Sequence, residues 1–254
     1  MIDIEKAKEI FEEYTNEYDL TQVNYKRKKE HSLRVAALSK MIANSIGEDE
    51  DLAELIGLFH DISRFEQLKR FNSTSDLKTG FDHGYEGEKL IKEKGWLEKI
   101  SDDRQIDDIV YKAIRNHNQR IIEEGLSEKE LLFAKLIRDA DKLDLFKLMN
   151  TEYLDMLGGE RKTLEEIKNQ KIAYESFKEI MACRQLDSNL KIDQINEIMV
   201  WIGFLFDINF KISFRYLAKN KYIEKLINIF KGGKNDELLN QIQDVVYEYI
   251  RINY

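Results

Sequence analysis

A chain of 254 residues, 43% hydrophobic and 35% charged, is long enough to bury roughly three quarters of its unfolded surface without help from disulfides or a structural metal. Lys and Arg number 40 against 48 Asp and Glu, and the net charge of −8 is the wrong sign for gripping a nucleic-acid backbone. No window approaches ~18 consecutive apolar residues, so no membrane span is expected. Residues 1–20 lack a basic start followed by an apolar run, and Cys183 is the single cysteine, which together point to a reducing, cytoplasmic compartment.

Proline is absent, so the commonest helix breaker never interrupts the chain. Apolar residues recur at helical spacing, as in Val35, Leu38 and Ile42, in Val110, Ala113 and Ile114, and in Ala134, Ile137, Leu145 and Leu148. The spacing predicts helices over 3–18, 23–46, 49–60, 83–95, 103–117 and 127–149. Between Asp61 and Asp82 the pattern weakens into "SRFEQLKRFNSTSDLKTGFD", whose Asn72, Ser73, Thr74, Ser75 and Gly80 predict a long loop. After residue 150, Gly158-Gly159 and Gly232-Gly233 punctuate further helical patterns, including the apolar run from Ile198 to Phe210. The expected fold is all-α, with residues 1–150 as a helical domain and 151–254 as a helical extension packed on it.

The four histidines, His31, His60, His83 and His117, all fall in the first half. Helical phase places each on the apolar stripe of a separate helix. One buried histidine is most simply explained by a backbone carbonyl partner. Four are harder to explain that way, because Asp61 directly follows His60 and Asp141 lies on the stripe of Ala134, Ile137, Leu145 and Leu148. A lone aspartate there carries a large desolvation cost unless it is paired or bound to a cation. Imidazole and carboxylate together suit borderline divalent metals. Helical phase also selects Asp141 over Asp139, which aligns with Lys135 and Lys142.

His31, the adjacent pair His60-Asp61, and Asp141 within "IRDADKLDLF" resemble the signature of the HD-domain superfamily of metal-dependent phosphohydrolases. The inserted His83 and His117 resemble its binuclear branch, whose ligand order is His, His-Asp, His, His, Asp. The resemblance covers roughly residues 25–150 and implies an HD-domain-like helical bundle. It further implies two divalent ions drawn from Mn, Fe, Co, Ni, Zn or Mg, one held by His31, His60, Asp61 and Asp141 and the other by His83 and His117, with Asp61 bridging. "HDISRF" is similar to the family's His-Asp-Ile-Gly-Lys/Arg run, with Ser63 in place of glycine and Arg64 as the cation that meets a substrate phosphate. "NQRIIEEGLSEKE" follows His117 where the cyclic-dinucleotide branch carries Gly-Tyr-Pro, which speaks against a cyclic-di-GMP substrate.

The implied activity is hydrolysis of a phosphate ester or anhydride on a nucleotide or other small phosphorylated metabolite, through a metal-bound hydroxide, with Asp61 and Arg64 as catalytic residues. Some superfamily members use the same ligands as di-iron oxygenases, and a non-catalytic regulatory module is a third reading. Lys78 and Lys142 flank ligand segments and join Arg64 as candidates for phosphate contact, although each is also explained as surface charge. The run Lys26-Arg27-Lys28-Lys29 is expected to be a solvated helix face, Asp82 and Asp144 to be acceptors that orient an imidazole, and Cys183 to be a core thiol. The expected partner is a small phosphorylated substrate, with no nucleic-acid polymer and no membrane, and an oligomer is left open.

Overall fold

The computed structural model describes residues 1–157 and 162–254, with the backbone alone at 154 and 155. Gly158-Gly159 therefore lies outside the described residues. Every regular element among the described residues is a helix. The chain divides into two compact units, Met1–Asp141 and Lys142–Tyr254, whereas the sequence reading sets its division after residue 150.

The first unit opens with α1 (Ile4–Thr15), whose N-terminus is capped by Asp3 accepting from the Lys6 N–H at 2.9 Å. Next come α2 (Val23–Ile46) and α3 (Glu50–Phe59). A Cβ on Gly57 of α3 would lie 2.7 Å from both Ala36 Cα and Ser39 Oγ of α2, so the α3 backbone packs directly on Ala36 and Ser39. That contact brings His60, at the end of α3, beside His31 of α2.

The segment expected to be one long loop instead holds α4 (Arg64–Phe71) and the short α5 (Asp76–Thr79). "RFEQLKRF" contains no turn former, buries Phe65, Gln67 and Leu68, and pairs Glu66 with Arg70 at 2.8 Å across one helical turn. The turn formers act where they stand, since Asn72 takes up a left-handed conformation (φ 48°) and ends α4.

Four helices complete the unit: α6 (His83–Lys94), α7 (Trp96–Ile100), α8 (Gln105–Asn116) and α9 (Glu128–Thr151), which runs on into the second unit. Gly84 does for α6 and the end of α8 what Gly57 does for α2 and α3, because its Cβ would lie 2.8 Å from the Arg115 carbonyl. From Leu136 to Asp144 every residue of α9 except Asp141 is buried. Along this stretch the one-sided stripe read from the sequence is therefore covered on nearly every side.

The second unit gathers helices Tyr174–Met181, Gln194–Gly203, Lys211–Asn220, Tyr222–Ile229 and Asp236–Asn253, with Ile180, Ile198, Ile202, Leu226, Ile242 and Val246 buried. Its apolar run leaves α-helix at Gly203 for a 3-10 turn at Phe204–Asp207. Cys183, expected in the core, is half-exposed just past a helix end with φ 53°.

Candidate metal centre

An α-helix ends in carbonyls that lack an intrahelical partner, and two of the histidines use them. His60 Nδ1 donates to the Gly57 carbonyl at 2.7 Å, and His117 Nδ1 donates to the Ile114 carbonyl at 2.6 Å. His83, the first residue of α6, donates from Nδ1 to the Asp76 carboxylate. A carbonyl or carboxylate oxygen only accepts, so these contacts put the proton on Nδ1 and leave Nε2 as a bare lone pair in all three rings.

The Nε2 atoms of all four rings converge. His83 Nε2 lies 3.0 Å from His117 Nε2, and His60 Nε2 lies 3.3 Å from His31 Nε2. Asp61 stands between the two pairs. Its Oδ2 is 3.7 Å from the Nε2 of both His31 and His60, while its Oδ1 is 3.4 Å from His83 Nε2 and 3.6 Å from His117 Nε2. Asp141 Oδ1 approaches His31 Nε2 at 3.1 Å and His60 Nε2 at 3.8 Å. Within each of the sets His31–His60–Asp61, His60–His117–Asp141 and Asp61–His83–His117, the donor atoms lie within 4.8 Å of one another. The bare lone pairs of His83 and His117 cannot bond each other, whereas a cation between them binds both. By its donor chemistry the cluster fits a borderline divalent metal.

The HD domain family model matches residues 29–145, a span that holds all of these side chains. Residues 29–145 are an HD domain. HD domains bind divalent metals, and the family consists in general of hydrolases. Over 169 residues, 66% of this chain, the protein is 27% identical to Ribonuclease Y of Acholeplasma laidlawii (strain PG-8A). The match takes in 27% of that relative, so the chain spans about a quarter of its length. No solved structure matches the chain significantly. No described helix is long and apolar enough to cross a membrane.

Two protein cations reach into the HD-domain cluster. Lys28 Nζ is 2.8 Å from Asp61 Oδ2, and Arg64 lies 3.4 Å from Asp61 Oδ1 through Nε and 3.1 Å from His83 Nε2 through a terminal nitrogen. The other terminal nitrogen of Arg64 donates to Gln67 Oε1, the Thr74 carbonyl and Asp76 Oδ1, each at 2.6 Å. Burial works to raise the Asp61 carboxyl, yet Lys28, with His60, His117 and Arg64 beside it, holds it well below the usual carboxylate range. Burial drives His60 down to about 3 against the pull of Asp61 and Asp141. Burial, joined by the Arg64 charge, drives His83 down to about 4 although Asp76 opposes it.

Both imidazoles are thus neutral at pH 7 in the metal-free HD domain. Unfolded, each titrates near ~6.5, so the stability they contribute is complete above that pH and is lost as pH falls towards their folded values. Between pH 7.5 and pH 5 the metal-free protein is expected to lose on the order of 4 kcal/mol from the two rings together. Thermal melts across that range check it, and a melting temperature that does not fall on acidification would contradict the burial of neutral imidazoles.

The structure brings His31, His60, Asp61, His83, His117, Asp141 and Arg64 together. Lys78 is exposed on α5. Lys142 is buried at 7% side-chain exposure and pairs with Asp207 at 2.8 Å within the second unit. Lys28 departs from the solvated face expected for its run. Asp82 is the N-cap of α6, accepting from the Gly84 and Tyr85 N–H groups at 3.1 and 3.2 Å, and the acceptor for an imidazole is Asp76. Asp139 is fully buried, not turned outward, whereas Asp141 reaches the histidines.

Sequence reasoning also missed Arg138 of α9, which is 1% exposed. Its guanidinium donates to the carbonyls of Asn116 at 2.9 Å, His117 at 3.4 Å, Gln119, and Arg120 at 3.4 Å. It thereby satisfies the end of α8 and the turn that carries His117. The available signal was an arginine among the apolar positions of α9.

Proposed function

We propose that this HD domain is a metal-dependent phosphohydrolase acting on a nucleotide or another small phosphorylated metabolite with two divalent cations. The observation that carries the reading is the two facing imidazole pairs, each met by one oxygen of Asp61. His31, His60 and Asp141 with Asp61 would hold one cation, and His83 and His117 with Asp61 the other. Bound divalent cations supply Lewis acidity, which lowers the pKa of water and neutralises charge on phosphoryl oxygens.

The chain contributes positioning and charge. The carbonyls of Gly57 and Ile114 aim His60 and His117, and burial keeps His60 and His83 neutral so that their lone pairs are available at pH 7. Lys28 and Arg64 are the cations beside Asp61, so a phosphoryl group brought to that carboxylate meets them. A guanidinium offers paired donors to phosphate oxygens. Ribonuclease Y, by its name, favours a second reading in which the substrate is an RNA phosphodiester. The net charge of −8 supports the smaller substrate.

Anaerobically purified protein loaded with Mn, Fe, Co or Ni tests the reading by elemental analysis and by turnover of nucleotides, phosphomonoesters and a short oligoribonucleotide. Two ions per chain, and release of phosphate or nucleotide under Mn or Co without oxygen, are expected. Cleavage of the oligoribonucleotide alone would move the substrate to RNA. Inertness across the panel, with oxygen uptake by the iron form, would replace the hydrolase with a di-iron oxygenase, and a protein that retains no metal and turns over nothing would make it a regulatory module.

A further inference from the structure

The four imidazoles are not anchored alike. His60 and His117 hang from carbonyls of the helices they terminate, three residues back, so the helix itself sets their direction. His83 begins its helix, where the backbone offers N–H groups and no free carbonyl, and its anchor comes from a side chain on another segment. Asp76 supplies it from α5, between α4 and α6, through Oδ2.

That carboxylate is itself held in place. Its Oδ1 accepts from Arg64 at 2.6 Å and from Gln67 Nε2 at 2.9 Å, and Gln67 Nε2 also reaches Thr79 Oγ1 at 3.1 Å, closing the segment back onto α4. Asn118 Nδ2, one residue after His117, approaches Oδ2 at 3.4 Å. Asp82 is nearer to His83 in sequence, but its oxygens are taken by the first turn of α6 and by Asn118 and Gln119. A carboxylate on the far nitrogen of an imidazole fixes the tautomer and makes the near nitrogen a better donor to a metal.

We propose that Asp76 is a positioning residue for the cation site of His83 and His117: its bond to His83 Nδ1 aims Nε2 at Asp61, and its removal weakens that site while sparing the one at His31 and His60. The proposal rests on the two-cation reading, and the geometry gives it a direction. The segment that binds Arg64 also holds a ligand of one ion, so loop and ion are secured by the same carboxylate. Burial opposes the charge on Asp76, but His83 and Arg64 keep it well below the usual carboxylate range.

The test compares wild type with Asp76→Asn in two measurements. Cobalt titration against a chelator gives the number of ions and their affinities, and nitrogen NMR of the metal-free protein reports which ring nitrogen of His83 carries the proton. Wild type is expected to bind two ions with His83 protonated at Nδ1. Asp76→Asn is expected to bind one of them about 10–100-fold more weakly, to keep the other, and to show a mixture of His83 tautomers. A wild type that binds one ion removes the two-cation reading, and the tautomer measurement still judges Asp76. A His83 proton on Nε2 in wild type, equal weakening of both ions in Asp76→Asn, or a variant matching wild type in both measurements would each overturn the proposal. Should the variant fail to fold, the wild-type tautomer decides alone.

Discussion

Asp61→Ala is expected to strip both cations from the protein and to lower kcat/KM by about a thousandfold or more. Lewis-acid stabilisation of a phosphoryl transition state is worth several kcal/mol, at about 1.4 kcal/mol per factor of ten. The expectation follows from a carboxylate whose two oxygens serve two different imidazole pairs at 3.4–3.7 Å. A ligand belonging to one ion would cost one ion. Replacing His83 and His117 together is the contrast, because it should remove one ion and leave the other with His31, His60 and Asp141. Elemental analysis of both variants after loading in excess metal gives the comparison, with steady-state kinetics beside it. If Asp61→Ala retains one ion at wild-type affinity, the carboxylate is not shared and the two-cation reading loses its centre.

Arg138→Met should produce the largest loss of stability. Methionine keeps the apolar stem that packs within α9 but leaves the carbonyls of Asn116, His117, Gln119 and Arg120 without the guanidinium that serves them. Removing one member of a buried, charge-assisted set costs about 3–5 kcal/mol, which for a chain of this size lowers the melting temperature by about 10 °C. Arg138→Lys restores the charge without the planar fork and should fall between the two. His117 is carried by the turn that Arg138 holds, so the loosened variant should also bind cobalt less tightly. Calorimetry of the metal-free proteins separates the two effects, and a melting temperature within about 2 °C of wild type would show that water serves those carbonyls equally well.

Much of the first unit was legible because its helices obey local rules. The proline-free stripes locate the longer helices to within three residues at either end, and helical phase turns His31, His60, His83, His117 and Asp141 towards one centre. What sequence could not supply was contact between segments. Adjacency favoured Asp82 as the partner of His83, but a residue immediately before a helix is drawn to cap it, and Asp76, seven positions back, arrives only once α4 and α5 have folded. Lys142 looked like surface charge beside a ligand because Asp207 lies 65 positions further on. Between Leu136 and Asp144 α9 is buried on nearly every side, so its periodicity could not say that Asp139 is covered as fully as its apolar neighbours. Lys28 was legible in the sequence, since it lies three residues before His31 and shares its helical face. The density of charge around it made a solvated face the simpler reading.

His60 and His117 take their direction from the carbonyl three residues behind them. Their aim is therefore complete as soon as the helices are wound, before any ion is present. Uptake of a cation would then require no rearrangement of these two ligands. A peptide that folds around its metal gains much of its order from the ion. Here the spacing of half the imidazoles is a property of two helix ends, so changing the ion alters what is held more readily than where it is held.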